Sequence, residues 1–238
     1  MTRPEDGAPD APDLPHATLI RFADTHRLIA SKYRRGGESV LALVADSTAD
    51  LAALFDLDHA TNDRLLAEHD LLPGIGVHEL VFGVPNYRVV NAAFTHAHPS
   101  GSRWNGPERG AWYAARELAT SHAEVVFHRT VALAEVGVYE DSATYDDYLS
   151  DVSGFLHDVR EDPRYADTLR PDSYVASQLL AERLLAAGSL GVLYPSVRRA
   201  GGTCVAVFRP ALVANVRRGA TYRFTWAGRP EPEVAVEG

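Results

Sequence analysis

Between Asp172 and Trp226 the chain passes through one helix and then three short β-branched runs, an order that constrains the fold more than any other feature. DSYVASQLLAERLLAAG carries a leucine stripe, Asp172 or Ser173 as N-cap and Gly188 at its stop. LGVLYP, TCVAVF (after Gly201-Gly202) and TYRFTW follow as strands. Upstream, HELVFGV and YRVVNAAF read as two further strands separated by Pro85-Asn86, and AWYAA as a short buried one. RELATSHAEVVFHRTVALA places Leu118, His122, Val126 and Phe127 on one side of a helix of about five turns. Many strands broken by a few helices, without regular βαβ alternation, predict an α+β domain with mixed or antiparallel sheets.

The flanks read differently. LIRFADTHRLIASKYRR, ADLAALFDL behind Asp46-Ser47-Thr48, and a short stretch from Ala60 to Glu68 together predict a small helical leader over 17–77. Residues 1–16 and 228–238, rich in proline and acids, are expected to be flexible tails, leaving 78–227 as the main domain. Cys204 is the lone cysteine, so an intramolecular disulfide and a cysteine zinc site are both excluded. No run of about 18 apolar residues spans a membrane, and the first residues lack a signal-peptide pattern, so a cytoplasmic protein is expected. With 32 acidic and 23 basic residues the net charge is −9, which argues against direct nucleic-acid binding. Lys32 is the single lysine, so phosphate recognition must rest on arginine and a lysine nucleophile is disfavoured.

Arg103, Tyr113 and Glu124 fall 10 and 11 residues apart across a loop, a strand and a helix. An arginine offers a planar fork to phosphate oxygens, a pocket tyrosine a stacking face and a hydroxyl, and a carboxylate a partner for ribose or for an oxocarbenium-like centre. Those are the needs of a dinucleotide whose N-glycosidic bond is to be cut. Each residue also has a plain structural reading: Arg103 stacked on Trp104 at the surface, Tyr113 in the core, and Glu124 on a solvated helix face.

VPNYRVVNAAF, GSRWNGPERGAWYAARELATSHAEV and GVLYPSVRRAGG together resemble the RES domain family over roughly His78 to Trp226. The family pattern is a YR strand, a G-x-R-W-N arginine, a Y-x-A tyrosine, an A-x-E glutamate and a late P-S turn, and the spacings match it. The leader is similar to the extension of longer RES proteins. The resemblance implies an ADP-ribosyltransferase-like fold with an NAD-binding catalytic domain over 78–227. It also implies a bacterial toxin that cleaves the nicotinamide–ribose bond, with phosphate or water as acceptor, and a cognate Xre-type antitoxin as partner. NAD is then substrate, with no metal and no direct contact to nucleic acid except through the antitoxin. Carried over residue by residue, Arg103 binds the pyrophosphate, Tyr113 lies beside nicotinamide and Glu124 organises the scissile ribose. Arg88, with Tyr87, matches the arginine of the first strand, and Ser196 matches the late serine, with Ser177-Gln178 as another polar pair for that position. Gly101-Ser102 departs from the family's frequent Gly-Gly.

An ADP-ribosyltransferase acting on a protein target is the alternative enzyme, and a sequestering module without turnover the alternative of another class. A ribonuclease toxin would draw on the local basic patch of Arg198, Arg199, Arg217 and Arg218. His96-x-His98 lacks carboxylates to complete a metal site, and P-loop, G-x-G-x-x-G and G-x-S-x-G patterns are absent. Cys204 reads as inert core. The acid-rich stretch from Glu140 to Asp172 reads as a solvated face, with a lid or an antitoxin surface as the functional alternative.

Overall fold

The structure, a computed structural model, describes residues 14–36 and 74–237. Its strands are β1 (Ala17–Ala30), β2 (Trp112–Ala115), β3 (Glu140–Asp158), β4 (Gly191–Pro195), β5 (Thr203–Val207), β6 (Val213–Ala227) and β7 (Glu233–Glu237). They form one sheet in the order β1-β2-β5-β4-β3-β6-β7. Because β1 also pairs with β3, the first five strands of that order close on themselves, and β6 and β7 extend from β3. Among the described strands the β3–β4 pair alone is parallel, and a crossover containing a helix joins its strands, as a parallel pair requires. The helices are α1 (Tyr87–Thr95), α2 (Leu118–Val136) and α3 (Val175–Ala186). The fold is α+β, as the strand-rich, non-alternating pattern predicts.

Alternation along β4 and β5 explains why both read as unbroken apolar runs. Cys204 and Ala206 face α3 with Val192 and Tyr194, against Leu180, Ala181 and Leu184. Val205, Val207 and Leu193 face the other way and pack with Val90 and Phe94 of α1 and with Trp112. Both faces are thus covered, and each fully buried Leu or Phe contributes about 1.5–3 kcal/mol. A third cluster joins Leu133 of α2 to Phe224 and Trp226 of β6. Gly137, left-handed at φ 72°, stops α2, its N–H bonding back to Ala134 O.

Several expectations are corrected. Residues 17–30 form no helical leader: they are a strand that pairs with β3 from Ala17↔His157 to Ala30↔Tyr145, with a bulge between Phe22 and Thr25. Ile20 and Phe22 pack on the core from alternate positions, a period of two that a helical reading of the same aliphatics passes over. The expected helices within 47–68 lie outside the described residues. YRVVNAAF is α1, not a strand, because Val90 and Phe94 bury at a spacing of four and the Asn91 side chain bonds Val81 N and O. HELVFGV is a short 3₁₀ turn and loop. At the end of the chain, Glu233–Glu237 pairs with β6 as a strand where a flexible tail is expected. The acid-rich stretch is largely β3, and Asp146 and Asp147 are 1% and 3% exposed, each hydrogen-bonded to one neighbour: Thr221 Oγ1 to Asp146 Oδ1, and His26 Nδ1 to Asp147 Oδ2.

Candidate active site

A cleft of about 880 Å³ opens between β1, β2 and α2, roofed by the loops at 98–103 and 171–174. Arg103 enters from the first loop, whose turn is locked: Gly101 sits at φ 70°, where an added Cβ would meet Asn105 O at 2.3 Å. Ser102 N donates to Asn105 O, and Gln178 Nε2 bonds both Ser100 O and Ser102 O. Arg103 is 6% exposed. Its Nη1 donates to Thr168 O and Arg170 O at 2.9 Å each, and its guanidinium lies 4.8 Å from the centre of the Tyr174 ring. Nη2 is buried with no hydrogen-bond partner among the described residues. Burial lowers the Arg103 pKa, as does nearby Arg198, while Tyr174, Tyr194 and Glu124 act to raise it. A desolvated guanidinium with spare donors at a cleft wall is a ready anion site.

Tyr113 lines the same cleft from β2. Its hydroxyl is already committed, donating to Asn105 Oδ1 at 2.7 Å and accepting from Trp104 N at 2.8 Å, and burial pushes its pKa up. What it offers a ligand is therefore a ring face, not an acid or base. Glu124 lines the cleft from α2. Ser196 Oγ donates to Glu124 Oε1 at 2.7 Å and itself accepts from Arg198 N and Arg199 N, both at 3.1 Å. Cys204 Sγ lies 4.0 Å from the same carboxylate oxygen, and burial raises the thiol's pKa, keeping it protonated.

Arg103, Tyr113, Glu124 and, through Glu124, Ser196 are thus brought together. Tyr87 and Arg88 are not: they stand at the start of α1, where Arg88 Nε donates to Tyr87 Oη at 3.3 Å, and neither lines the cleft. Ser177 is buried and bonds Tyr174 O within its own helix turn. His96 and His98 turn to Thr95 and Ser100. Among the described residues no three His, Cys, Asp or Glu side chains gather to hold a metal, and no helix is long and apolar enough to cross a membrane.

The family model of the RES domain matches residues 80–227. The chain belongs to the RES domain family. No curated protein matches it. Among solved structures it is similar to one described as the crystal structure of the M. tuberculosis MbcT-MbcA toxin-antitoxin complex, at 19% identity and a TM-score of 0.42, over 57% of this chain and 75% of that one. The RES match begins after β1, yet β1 supplies cleft residues that the sequence reading missed. Arg27 lines the cleft, its Nη1 donating to Tyr113 O at 3.0 Å and its guanidinium 4.8 Å from the Trp112 ring centre. Burial pushes its pKa down to about 10, and its Nε is buried without a partner among the described residues. Arg27 is thus an arginine that reaches the cleft from a strand, carried by THRLIA in a segment whose alternation is visible once it is read as a strand. His128 and Arg198 also line the cleft, Arg198 stacking on Phe127 and reaching Pro171 O. Burial lowers the His128 pKa, with Glu124 opposing and Arg198 and Arg103 adding to the shift.

Proposed function

We infer that this protein is a toxin that consumes NAD by cleaving its nicotinamide–ribose bond, with phosphate or water as acceptor. The observation that carries the reading is the pairing, in one cleft, of a buried arginine with spare donors and a carboxylate held in place by a fully committed serine hydroxyl. The cleft volume of about 880 Å³ suits a ligand of dinucleotide size. On this reading the pyrophosphate lies on Arg103, with Arg27 as a second cation, and nicotinamide lies against the Tyr113 ring. Glu124 faces the ribose. The nicotinamide ring leaves as a neutral base, taking the bonding electrons, and Glu124 stabilises the positive ribosyl centre left behind. Arginine at the phosphate and a carboxylate at the ribose divide the charge of the substrate without a metal. A small Xre-type antitoxin that covers the cleft would explain how a cell tolerates such an activity.

The test is incubation of the purified, folded chain with NAD, with and without phosphate, followed by nicotinamide release and identification of the ADP-ribosyl product. Free or phosphorylated ADP-ribose is expected, and Glu124→Gln is expected to lower the rate about 10²–10³-fold with the fold intact. Intact NAD with a folded wild type would overturn the enzyme reading in favour of a binding module. Label transferred onto a protein would move it to an ADP-ribosyltransferase.

A further inference from the structure

His26, which lines the cleft from β1, is paired with Asp147 of β3 behind it. His26 Nδ1 lies 2.8 Å from Asp147 Oδ2, with side-chain exposures of 19% and 5%. An ionised carboxylate only accepts hydrogen bonds, so Nδ1 carries a proton, and Nε2 is the ring nitrogen not engaged by Asp147. Asp147 Oδ1 is buried with no partner among the described residues, so His26 is the group this carboxylate serves. Burial raises the Asp147 pKa, and His26 and His122 act to lower it.

Sheet register relates the pair to the rest of the cleft. His26 is paired with Ala115, Ala115 with Cys204, and Cys204 with Tyr194. Residues directly opposite one another project from the same face, so these four form one row across β1, β2, β5 and β4, and all four line the cleft. Strands stand about 4.8 Å apart, which separates the His26 and Cys204 backbones by about 10 Å. Glu124 lies over the Cys204 end of that row. The residue between is Ala115, the smallest side chain of the row. Glu124 and His26 thus line one cleft from different elements, and the row between them carries only the small Ala115.

We propose that His26, oriented by Asp147, is the general base that activates the acceptor. This rests on the NAD-cleaving reading. The oxygen of water or hydrogen phosphate forms its bond to the ribosyl carbon as the bond to nicotinamide nitrogen breaks, its electrons passing to the ring. The acceptor's proton goes to His26 Nε2, and the imidazolium, stabilised by Asp147, releases it to solvent after product leaves. Asp147 is then a positioning residue. The other groups around the pair are His122 of α2, which interacts electrostatically with both members, and Tyr222 of β6, whose ring meets His122 edge-on. Arg27 is next in the chain.

The experiment measures nicotinamide release from pH 5 to 9 for the full chain, His26→Ala, His26→Gln and Asp147→Asn, with Glu124→Gln as reference. The glutamine variant retains a donor toward Asp147 and guards against loss of fold in the alanine variant. Both His26 variants are expected to lose about 10²–10⁴-fold in kcat with KM for NAD little changed. Wild-type rate should fall at low pH as the base protonates, and that limb should flatten when His26 is gone. Added imidazole should restore part of the His26→Ala rate. Asp147→Asn should lower kcat and shift the limb. An active wild type whose His26 variants keep its rate and pH limb would overturn this proposal while leaving the function standing. A folded wild type without nicotinamide release would remove both.

Discussion

At the scale of single residues, Ser196 shows how a hydroxyl controls a carboxylate. Two backbone N–H groups occupy its oxygen, so its proton has one destination, Glu124 Oε1. Ser196→Ala removes a hydrogen bond to a charged group, about 1.5–3 kcal/mol, and leaves two N–H groups without that acceptor. We expect nicotinamide release to fall about 10–100-fold, read as kcat beside a thermal unfolding curve. An unchanged kcat would mean that Glu124 is held by something else. The choice between Ser196 and Ser177-Gln178 was not legible in the chain, since both are small polar pairs in or beside buried elements. Geometry separates them: Gln178 braces the arginine loop, and Ser196 meets the glutamate. Arg103 was legible as an anion ligand from its fork but not as a buried residue, because its burial comes from Thr168 and Arg170, 65 and 67 positions away.

Among the elements, the segment from Gly74 to Leu80 is tied down by charge. Glu79 receives both terminal nitrogens of Arg109, which also reaches Gly74 O and Phe208 O, and it pairs with Arg209 as well. Burial would raise the Glu79 pKa, but the hydrogen bond from Arg109, aided by Gly76 N–H and Arg209, prevails and lowers it from 4.5 to about 2. A depressed carboxylate contributes stability that is fully present above its unfolded value and is lost as the pH falls toward its folded one. The wild type should therefore lose urea resistance between about pH 4.5 and 2. Glu79→Gln should be less stable at pH 7 and show a flatter dependence over that window, as read from urea midpoints. Equal slopes would reassign the acid sensitivity to other carboxylates. This knot could not be read in advance, as it joins residues 30 and 130 positions apart. The elements themselves were legible where one period dominates, as in α2, α3, β4 and β5. YRVVNAAF misled because β-branched residues suit either element, and only the spacing of Val90 and Phe94 distinguishes a helix.

For the whole molecule, ring closure by β1 decides what can be removed. The RES match covers 80–227, and that stretch alone lacks the strand that pairs with β3 along most of its length. A fragment starting at residue 78 would expose the β3 edge and uncover Ile20 and Phe22's partners in the core. It should fail to show a cooperative unfolding transition by circular dichroism, where the full chain shows one. A fragment that unfolds cooperatively would show that the ring closes without β1. The non-alternating strand pattern made the α+β class readable from the sequence, and family likeness singled out Arg103, Tyr113 and Glu124, which line one cleft. β1 lies before residue 80, outside the match, so that likeness says nothing of it.

The ring has a seam. β1 meets β3 over a long ladder but meets β2 at the single pair His26↔Ala115, beside the cleft. A molecule lodged against both strands bridges that joint, and a ligand at a hundred times its Kd adds about 2.7 kcal/mol to the closed form. If NAD is that molecule, the pool a cell maintains also helps hold the ring shut. On the proposed function, the thermal unfolding midpoint should then rise with added NAD and fall back as the NAD is consumed.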